Sequence, residues 1–275
     1  MARARKKTGT CCICGKEGKL SFEHVPPRSA FNDHPVFVAN IKELIGNWDG
    51  ELKSIKGKVH QLGAGNYTLC EKCNNNTGTW YGNAFADWAY QAFRVLTFAK
   101  GEPTLYYQFR IFPLRVIKQI VCMFFSSNGP AFRTIHPDLV KFVLDREAKY
   151  LDPSIRIYTY YNLAPVSRQS GVASLLKIDK RESYTFSEIA YLPLGYLMTL
   201  KSEVPDNRPI DISFFANYRY DDWKEFSFRL PVLPVYTYFP ADYRNRDEVL
   251  ATGEENRNRR KKANDLMRPT RYTRG

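Results

Sequence analysis

The sequence predicts an α+β protein in two parts, a small N-terminal module stapled by zinc and a larger domain that mixes helices with many strands. Two Cys-x-x-Cys pairs bracket the module, with 55 residues, 15 to 69, between them. Large apolar residues recur at helical spacing after the second pair, and alternating tyrosine-rich stretches beyond residue 100 are typical of strands. With 275 residues, 44% of them hydrophobic, the chain can bury a substantial core.

The N-terminal module is predicted to alternate short strands with helices. A strand over 19–24 must end before Pro26 and Pro27, because proline removes a ladder donor and holds the preceding residue extended. A long, glycine- and asparagine-rich excursion follows, with a short helix around 41–45. A brief strand over 67–70 then leads into a helix over 79–98 with an aromatic inner face.

Glycine and proline in "AKGEP", 99–103, end that helix and mark a boundary. We therefore expect domains at 1–100 and 101–255, followed by a basic tail at 256–275. The pattern beyond the boundary predicts a strand over 104–112, helices over 113–128 and 137–151, and strands at 154–161, 184–192, 211–218 and 225–239. This second domain has no evident role in the sequence; DNA recognition, sensing, a regulatory partner and homo-oligomer formation are the alternatives.

The charge of the chain is concentrated at its two ends. The formal net charge is +13; residues 1–10 hold four basic groups and no acid, and residues 257–275 hold eight basic groups and one acid, so the ends supply +4 and +7. Basic ends of this kind can bind a polyanion such as nucleic acid, because each neutralised phosphate releases counterions. The alternative is that they are solvated tails without a partner. We expect DNA as the partner, with RNA as the alternative, and contacts from Arg257, Arg259, Arg260, Lys261 and Lys262.

No stretch of the sequence has the length and apolarity of a membrane helix, and the basic start lacks the apolar segment of an export signal. We therefore expect a soluble, cytoplasmic protein without a membrane partner. In that setting, closely paired cysteines indicate a metal site, not disulfides.

Four of these cysteines, Cys11, Cys14, Cys70 and Cys73, form a ligand set of the kind that holds structural zinc in a closed tetrahedron. Closing the long segment between the pairs costs about 4 kcal/mol, whereas zinc binding contributes about 10 to 16 kcal/mol. The register stays open at one point, since Cys12 could replace Cys11, although we expect it to be a spectator.

Zinc at these pairs would draw the end of the first strand toward the start of the helix, bringing Glu23 and His24 near Asn74 and Asn75. The ordered stretches "CCICG", "SFEHVPP" and "NYTLCEKCNNNTG" resemble the HNH endonuclease family, in its four-cysteine, zinc-stapled branch. That family has a ββα-metal fold. The resemblance covers residues 11–80. It departs from the usual His-Asn-His motif at the third position, where this chain has Asn instead of His.

The resemblance implies a role for each matching residue. His24 is the general base that activates the attacking water, and Asn74 ligates a catalytic Mg²⁺ or another divalent cation. Asn66 orients the catalytic loop through hydrogen bonds to its backbone. Glu23 completes the metal ligands, although neighbours on a regular strand point to opposite faces. Asn75 is the alternative to Asn74 as ligand, and either Asn75 or Asn76 could instead cap the helix.

The expected activity is metal-dependent hydrolysis of DNA phosphodiester bonds, as in a restriction, defence or mobile-element nuclease. The alternative is a zinc module that binds nucleic acid or acts as a scaffold without cutting.

Overall fold

The computed structural model describes residues 7–46, 55–163, 166–177 and 181–266. Its N-terminal part contains a three-stranded antiparallel sheet, in the order β1 (Thr8–Thr10), β2 (Glu17–His24) and β5 (Gly65–Cys70). Between β2 and β5 the chain forms a separate two-stranded ribbon, β3 (Val36–Ala39) with β4 (Gly57–His60), and the short helix α1 (Ile41–Gly46). The expected strands and the short helix are confirmed, whereas the ribbon had not been expected.

The pairing of β2 with β5 positions the later site residues. Glu23 lies opposite Asn66 and His24 opposite Gly65, so the ladder continues to the last residue of β2. Gly65 is required there, because a Cβ on this residue would lie 2.1 Å from the carbonyl oxygen of Glu23. Val25 then donates its backbone N–H to Ala64 before Pro26 ends the pairing.

A long helical segment follows β5 without a break. It consists of α2 (Glu71–Thr77), a π-helical turn (Gly78–Gly82) and α3 (Asn83–Thr97). The expected aromatic inner face is confirmed, with Tyr81, Phe85 and Trp88 buried. The segment begins eight residues earlier than predicted, at 71 instead of 79. Asn75 and Asn76 therefore lie inside the helix, and their expected role as caps is wrong.

The remaining chain builds a seven-stranded sheet around a buried helix. The strands are β6 (Thr104–Ile111), β7 (Ile155–Asn162), β8 (Arg168–Lys177), β9 (Glu182–Ala190), β10 (Leu194–Leu200), β11 (Ile210–Asp211) and β12 (Lys224–Leu233). Their order is β6-β12-β7-β10-β9-β8, with β11 pairing β7, and all pairs are antiparallel except β12 with β7. The helices are α4 (Pro113–Asn128), α5 (Pro130–Ile135), α6 (Pro137–Leu144) and the C-terminal α7 (Arg246–Leu266).

Most expected elements of this part are confirmed, including β6, α4, β7 and β9. The strand expected over 225–239 is confirmed as β12 but ends at Leu233. The strand expected over 211–218 is wrong, because the chain forms a 3₁₀ helix (Ser213–Asn217) directly after β11. Asp211 explains the change: its side chain accepts a hydrogen bond from the backbone N–H of Ser213, which turns the chain out of the extended conformation. The helix expected over 137–151 ends at Leu144.

One hydrophobic cluster extends from Cys11, in the turn between β1 and β2, to Leu230 in β12, so packing contacts cross the boundary expected near residue 100. Helix α7 likewise spans the boundary expected at residue 255. The division into domains stays a prediction. Within the described ranges, no helix combines the length and apolarity that crossing a bilayer requires.

Candidate functional site

The sulfur atoms of Cys11, Cys14, Cys70 and Cys73 all lie within 4.8 Å of one another. The first two come from the turn between β1 and β2, and the others from the end of β5 and the first turn of α2. The sulfur atoms of Cys14 and Cys70 are 3.7 Å apart, close to the edge of about 3.8 Å expected for a tetrahedron with zinc–sulfur bonds of about 2.3 Å. The four thiols are therefore compatible with a single zinc ion.

The open question between Cys11 and Cys12 is answered by the geometry. Cys12 is not part of the four-thiol cluster; it is buried, and its backbone N–H donates to Thr68. Burial raises the pKa of the Cys12 thiol to about 11. A hydrogen bond from Cys73 instead lowers the pKa of Cys11 to about 4. The four-thiol set therefore includes Cys11, and Cys12 is the spectator.

His24, the last residue of β2, is half-buried and held in one orientation. Its Nε2 lies 2.9 Å from the backbone oxygen of Leu62, and its ring meets the edge of Phe22 at 4.9 Å between centroids. Because a carbonyl oxygen can only accept, the Nε2 of the neutral ring must carry the proton and Nδ1 is left as the acceptor. This is the tautomer with a free basic nitrogen.

The charge state of His24 is also favourable for a base. Burial lowers the pKa of its imidazole below the usual range; the bond with Leu62 opposes this effect, and the nearby charge of Arg28 adds to it. The neutral form is consequently the dominant one near pH 7.

Glu23 is placed differently from its neighbour. It is only 6% exposed, and burial raises the pKa of its carboxyl to about 8. Near pH 7 this carboxyl is therefore largely protonated, whereas the imidazole of His24 contacts Phe22 and Leu62. Because the ladder stays paired through His24, the end of β2 does not fray, and the alternation of a regular strand holds Glu23 and His24 on opposite faces. The role of Glu23 as a metal ligand stays a prediction.

Asn74 is anchored to the strand that carries His24. Its Nδ2 donates to the hydroxyl of Ser21 at 3.1 Å and to the backbone oxygen of Phe22 at 3.0 Å. The carbonyl of Phe22 can only accept, so the amide must present its nitrogen to the strand and keep Oδ1 as an oxygen donor. Asn75, one residue on, is exposed. Asn74 is thus tied to β2, and the choice between the two asparagines as metal ligand stays a prediction.

Asn66 does not hold the loop before it. Its side chain is exposed and makes no hydrogen bond to loop residues 61–64 within the described part of the chain. That role belongs to Asn32, which is fully buried. Asn32 donates to the backbone oxygens of Pro26 at 2.6 Å and Ala64 at 2.7 Å, and it accepts from the N–H of Ala64 at 2.6 Å. Asn32 was not identified from the sequence. The only sign of its burial in the sequence is that this polar residue follows the apolar residues Ala30 and Phe31.

The basic C-terminus is partly helical. Arg257, Lys261 and Lys262 are exposed on α7. The side chains of Arg259 and Arg260 lie outside the described residues, as do residues 267–275 and the basic residues among 1–6. Their contacts with nucleic acid stay predictions.

Comparison with models of protein families, with curated proteins and with solved structures found no match for this chain. The fold and the site therefore define the protein by themselves, as a mixed α and β protein with a four-thiol site beside two antiparallel strands and a helix. The resemblance to the HNH family stays a prediction.

Proposed function

We propose that this protein is a metal-dependent endonuclease of the HNH type that hydrolyses phosphodiester bonds in DNA. One observation carries the proposal: His24 ends the strand to which Asn74 is hydrogen-bonded, and within the described ranges neither the Nδ1 of His24 nor the Oδ1 of Asn74 forms a hydrogen bond. The four-thiol cluster supports it, because structural zinc there would keep the helix that bears Asn74 against β2.

In this mechanism His24 is the general base. Its Nδ1 takes a proton from the water that attacks the phosphorus atom, while the bond from Nε2 to Leu62 keeps the ring in place and stabilises the imidazolium that forms. The Oδ1 of Asn74 is a hard oxygen donor, which suits Mg²⁺ or a similar divalent cation. When bound, such a cation stabilises charge on the phosphate and on the leaving oxygen.

The basic ends of the chain fit a nucleic-acid substrate. The exposed Arg257, Lys261 and Lys262 lie on a polar helix that presents cations to solvent. Such groups increase the rate of encounter with a polyanion and make binding depend on salt concentration.

The proposal is tested by nicking of supercoiled plasmid with Mg²⁺ against EDTA. We expect cleavage that requires the metal and falls by roughly 10²- to 10⁴-fold in His24→Ala, the usual contribution of general base catalysis. His34→Ala is the matched control, since His34 is also a histidine of the N-terminal part but is exposed. Unchanged cleavage by His24→Ala would remove the assigned base. Salt-dependent binding without any metal-stimulated cleavage would favour the non-cutting zinc module.

A further inference from the structure

An open cleft of about 460 Å³ lies between the turn that follows β2 and the outer side of the long helical segment. It is lined by Pro27, Arg28, Ser29, Asp33, Gly78, Gly82 and Asn83. A volume of this size lies within the range of pockets that hold small organic ligands. The cleft is also close to the candidate base, because Arg28 on its wall acts electrostatically on His24.

The two glycines on the helical wall have no internal explanation. Both have ordinary helical backbone angles, φ −60° at Gly78 and φ −59° at Gly82, so neither needs glycine for its conformation. A Cβ added at either position would meet no atom within 4 Å. Glycine lowers helix stability relative to alanine, and its common uses are unusual backbone angles and close approach to a ligand. Gly78 is exposed, so its helix backbone is open to close approach by a ligand, whereas Gly82 is buried at the inner end of the same wall.

Arg28 provides the charge for such a ligand. The residue is exposed, and it forms no ion pair with an acid anywhere in the described ranges. A guanidinium without a carboxylate partner is a good donor to phosphate, which it can bind through two parallel hydrogen bonds. Ser29 and Asn83 add exposed polar side chains to the same lining.

We propose that this cleft binds one nucleotide of the nucleic-acid strand beside the bond to be cut, with its phosphate on Arg28 and its sugar against the exposed helix backbone at Gly78. Its placement beside the bond to be cut rests on the proposed nuclease function, whereas the binding site itself does not. Asp33 is the one acid of the lining, and its carboxylate repels phosphate and can accept a hydrogen bond from an amino group of a base.

The test measures binding separately from cleavage. Fluorescence anisotropy of labelled DNA and RNA oligonucleotides is recorded in EDTA, across a series of salt concentrations, with His24→Ala as the parent protein. Gly78→Leu places a side chain in the cleft from an exposed helical position where a Cβ would meet no atom within 4 Å, and Gly78→Ala is its matched control. Arg28→Gln removes the charge, and Arg229→Gln on β12 is the control for loss of an exposed arginine without an ion pair.

We expect Gly78→Leu to melt no lower than its parent but to weaken binding by about tenfold or more, since overpacking of a contact costs at least that much. Gly78→Ala should bind with little loss and melt at a higher temperature. Arg28→Gln should reduce the slope of log affinity against log salt by about 1. Arg229→Gln should leave binding to the cleft unchanged.

Two results would overturn the proposed site even if wild-type protein cuts DNA. One is that Gly78→Leu binds the oligonucleotide as tightly as its parent. The other is that Arg28→Gln shows the same dependence of affinity on salt as Arg229→Gln. Loss of binding in both variants of the cleft, together with a wild-type protein that does not cut, would support the site and reject the nuclease. A preference for the RNA oligonucleotide would support the site and change the expected substrate from DNA to RNA.

Discussion

The Nε2 of His24 is 2.9 Å from the backbone oxygen of Leu62, a residue 38 positions later in the chain. This bond determines which ring nitrogen keeps its proton and therefore which one can act as a base. Leu62 lies in the loop that leads into β5, so the competence of His24 depends on how firmly that loop is held. The buried side chain of Asn32 holds it through Ala64.

Asn32→Asp should therefore damage both stability and activity. The substitution keeps the shape but replaces two N–H donors by an oxygen that faces the carbonyls of Pro26 and Ala64. We expect a loss of about 3 kcal/mol or more in the free energy of unfolding, since each buried polar atom left unpaired costs about 1 to 3 kcal/mol. Urea unfolding measures the loss, and nicking assays below the transition measure activity.

The control for Asn32 is Tyr191→Phe. The hydroxyl of Tyr191 lies 3.2 Å from both the Oδ1 of Asn32 and the backbone oxygen of Phe31, so its single proton is shared between these two acceptors. Losing this shared hydrogen bond should cost only about 1 kcal/mol. Equal stability of Asn32→Asp and wild type would show that Asn32 does not hold the loop.

The four-thiol site should contain one zinc ion per chain, measured by plasma mass spectrometry of the purified protein. Serine at Cys11, Cys14, Cys70 or Cys73 should lower the zinc content and the thermal midpoint, because a loss of about 3 kcal/mol shifts the midpoint of a chain of this size by roughly 6 to 12 °C. Cys12→Ser should keep its zinc. Zinc loss from Cys12→Ser but not from Cys11→Ser would reverse the assignment of the ligands.

Asn74 and Asn75 should behave differently when each is replaced by alanine. Asn74→Ala removes an oxygen donor and two hydrogen bonds to β2, so we expect loss of metal-stimulated nicking and a decrease of about 1 to 2 kcal/mol in stability. Asn75→Ala, at an exposed position, should change neither. Asn74→Asp keeps an oxygen donor and should be more active than Asn74→Ala at high Mg²⁺. Greater loss of Mg²⁺ dependence in Asn75→Ala would identify the other asparagine as the ligand.

Lys118 should make stability depend on pH. It is fully buried in α4, where its Nζ donates to the backbone oxygens of Phe142 at 2.6 Å and Asp145 at 2.5 Å. Burial lowers the pKa of this lysine from 10.5 to about 8. Between those two values the unfolded chain binds a proton that the folded chain does not, so stability contributed by this group rises with pH.

Lys118→Met lacks this effect, and all other titrating groups are shared with wild type. Urea midpoints measured from pH 7.5 to 10 should therefore show wild type gaining stability relative to Lys118→Met as the pH rises. A constant difference between the two proteins would mean that Lys118 keeps its charge when folded.

Local patterns predicted much of the fold. The helical spacing of Tyr81, Phe85 and Trp88 identified the buried face of the long helical segment, and proline and glycine marked the ends of α4. The ribbon of β3 and β4 was missed because its exposed Phe37 and Val59 face solvent and create no alternating pattern of burial. The parallel pairing of β12 with β7 was also unpredictable, since strand order depends on packing between distant segments.

By itself, the sequence determined the chemistry that is present: four thiols at metal-ligand spacing, one histidine before a proline pair and an asparagine after the second thiol pair. Residue type and spacing are sufficient for this, because the ligand atom of each cysteine and the short turn within each Cys-x-x-Cys pair are local features of the sequence. Only the tertiary structure decided how those groups are used. The structure places Cys11, not Cys12, in the four-thiol cluster, and it shows that Asn32, not Asn66, supports the loop. It also shows which ring nitrogen of His24 carries the proton. Each of these depends on partners that come together only when the chain is folded.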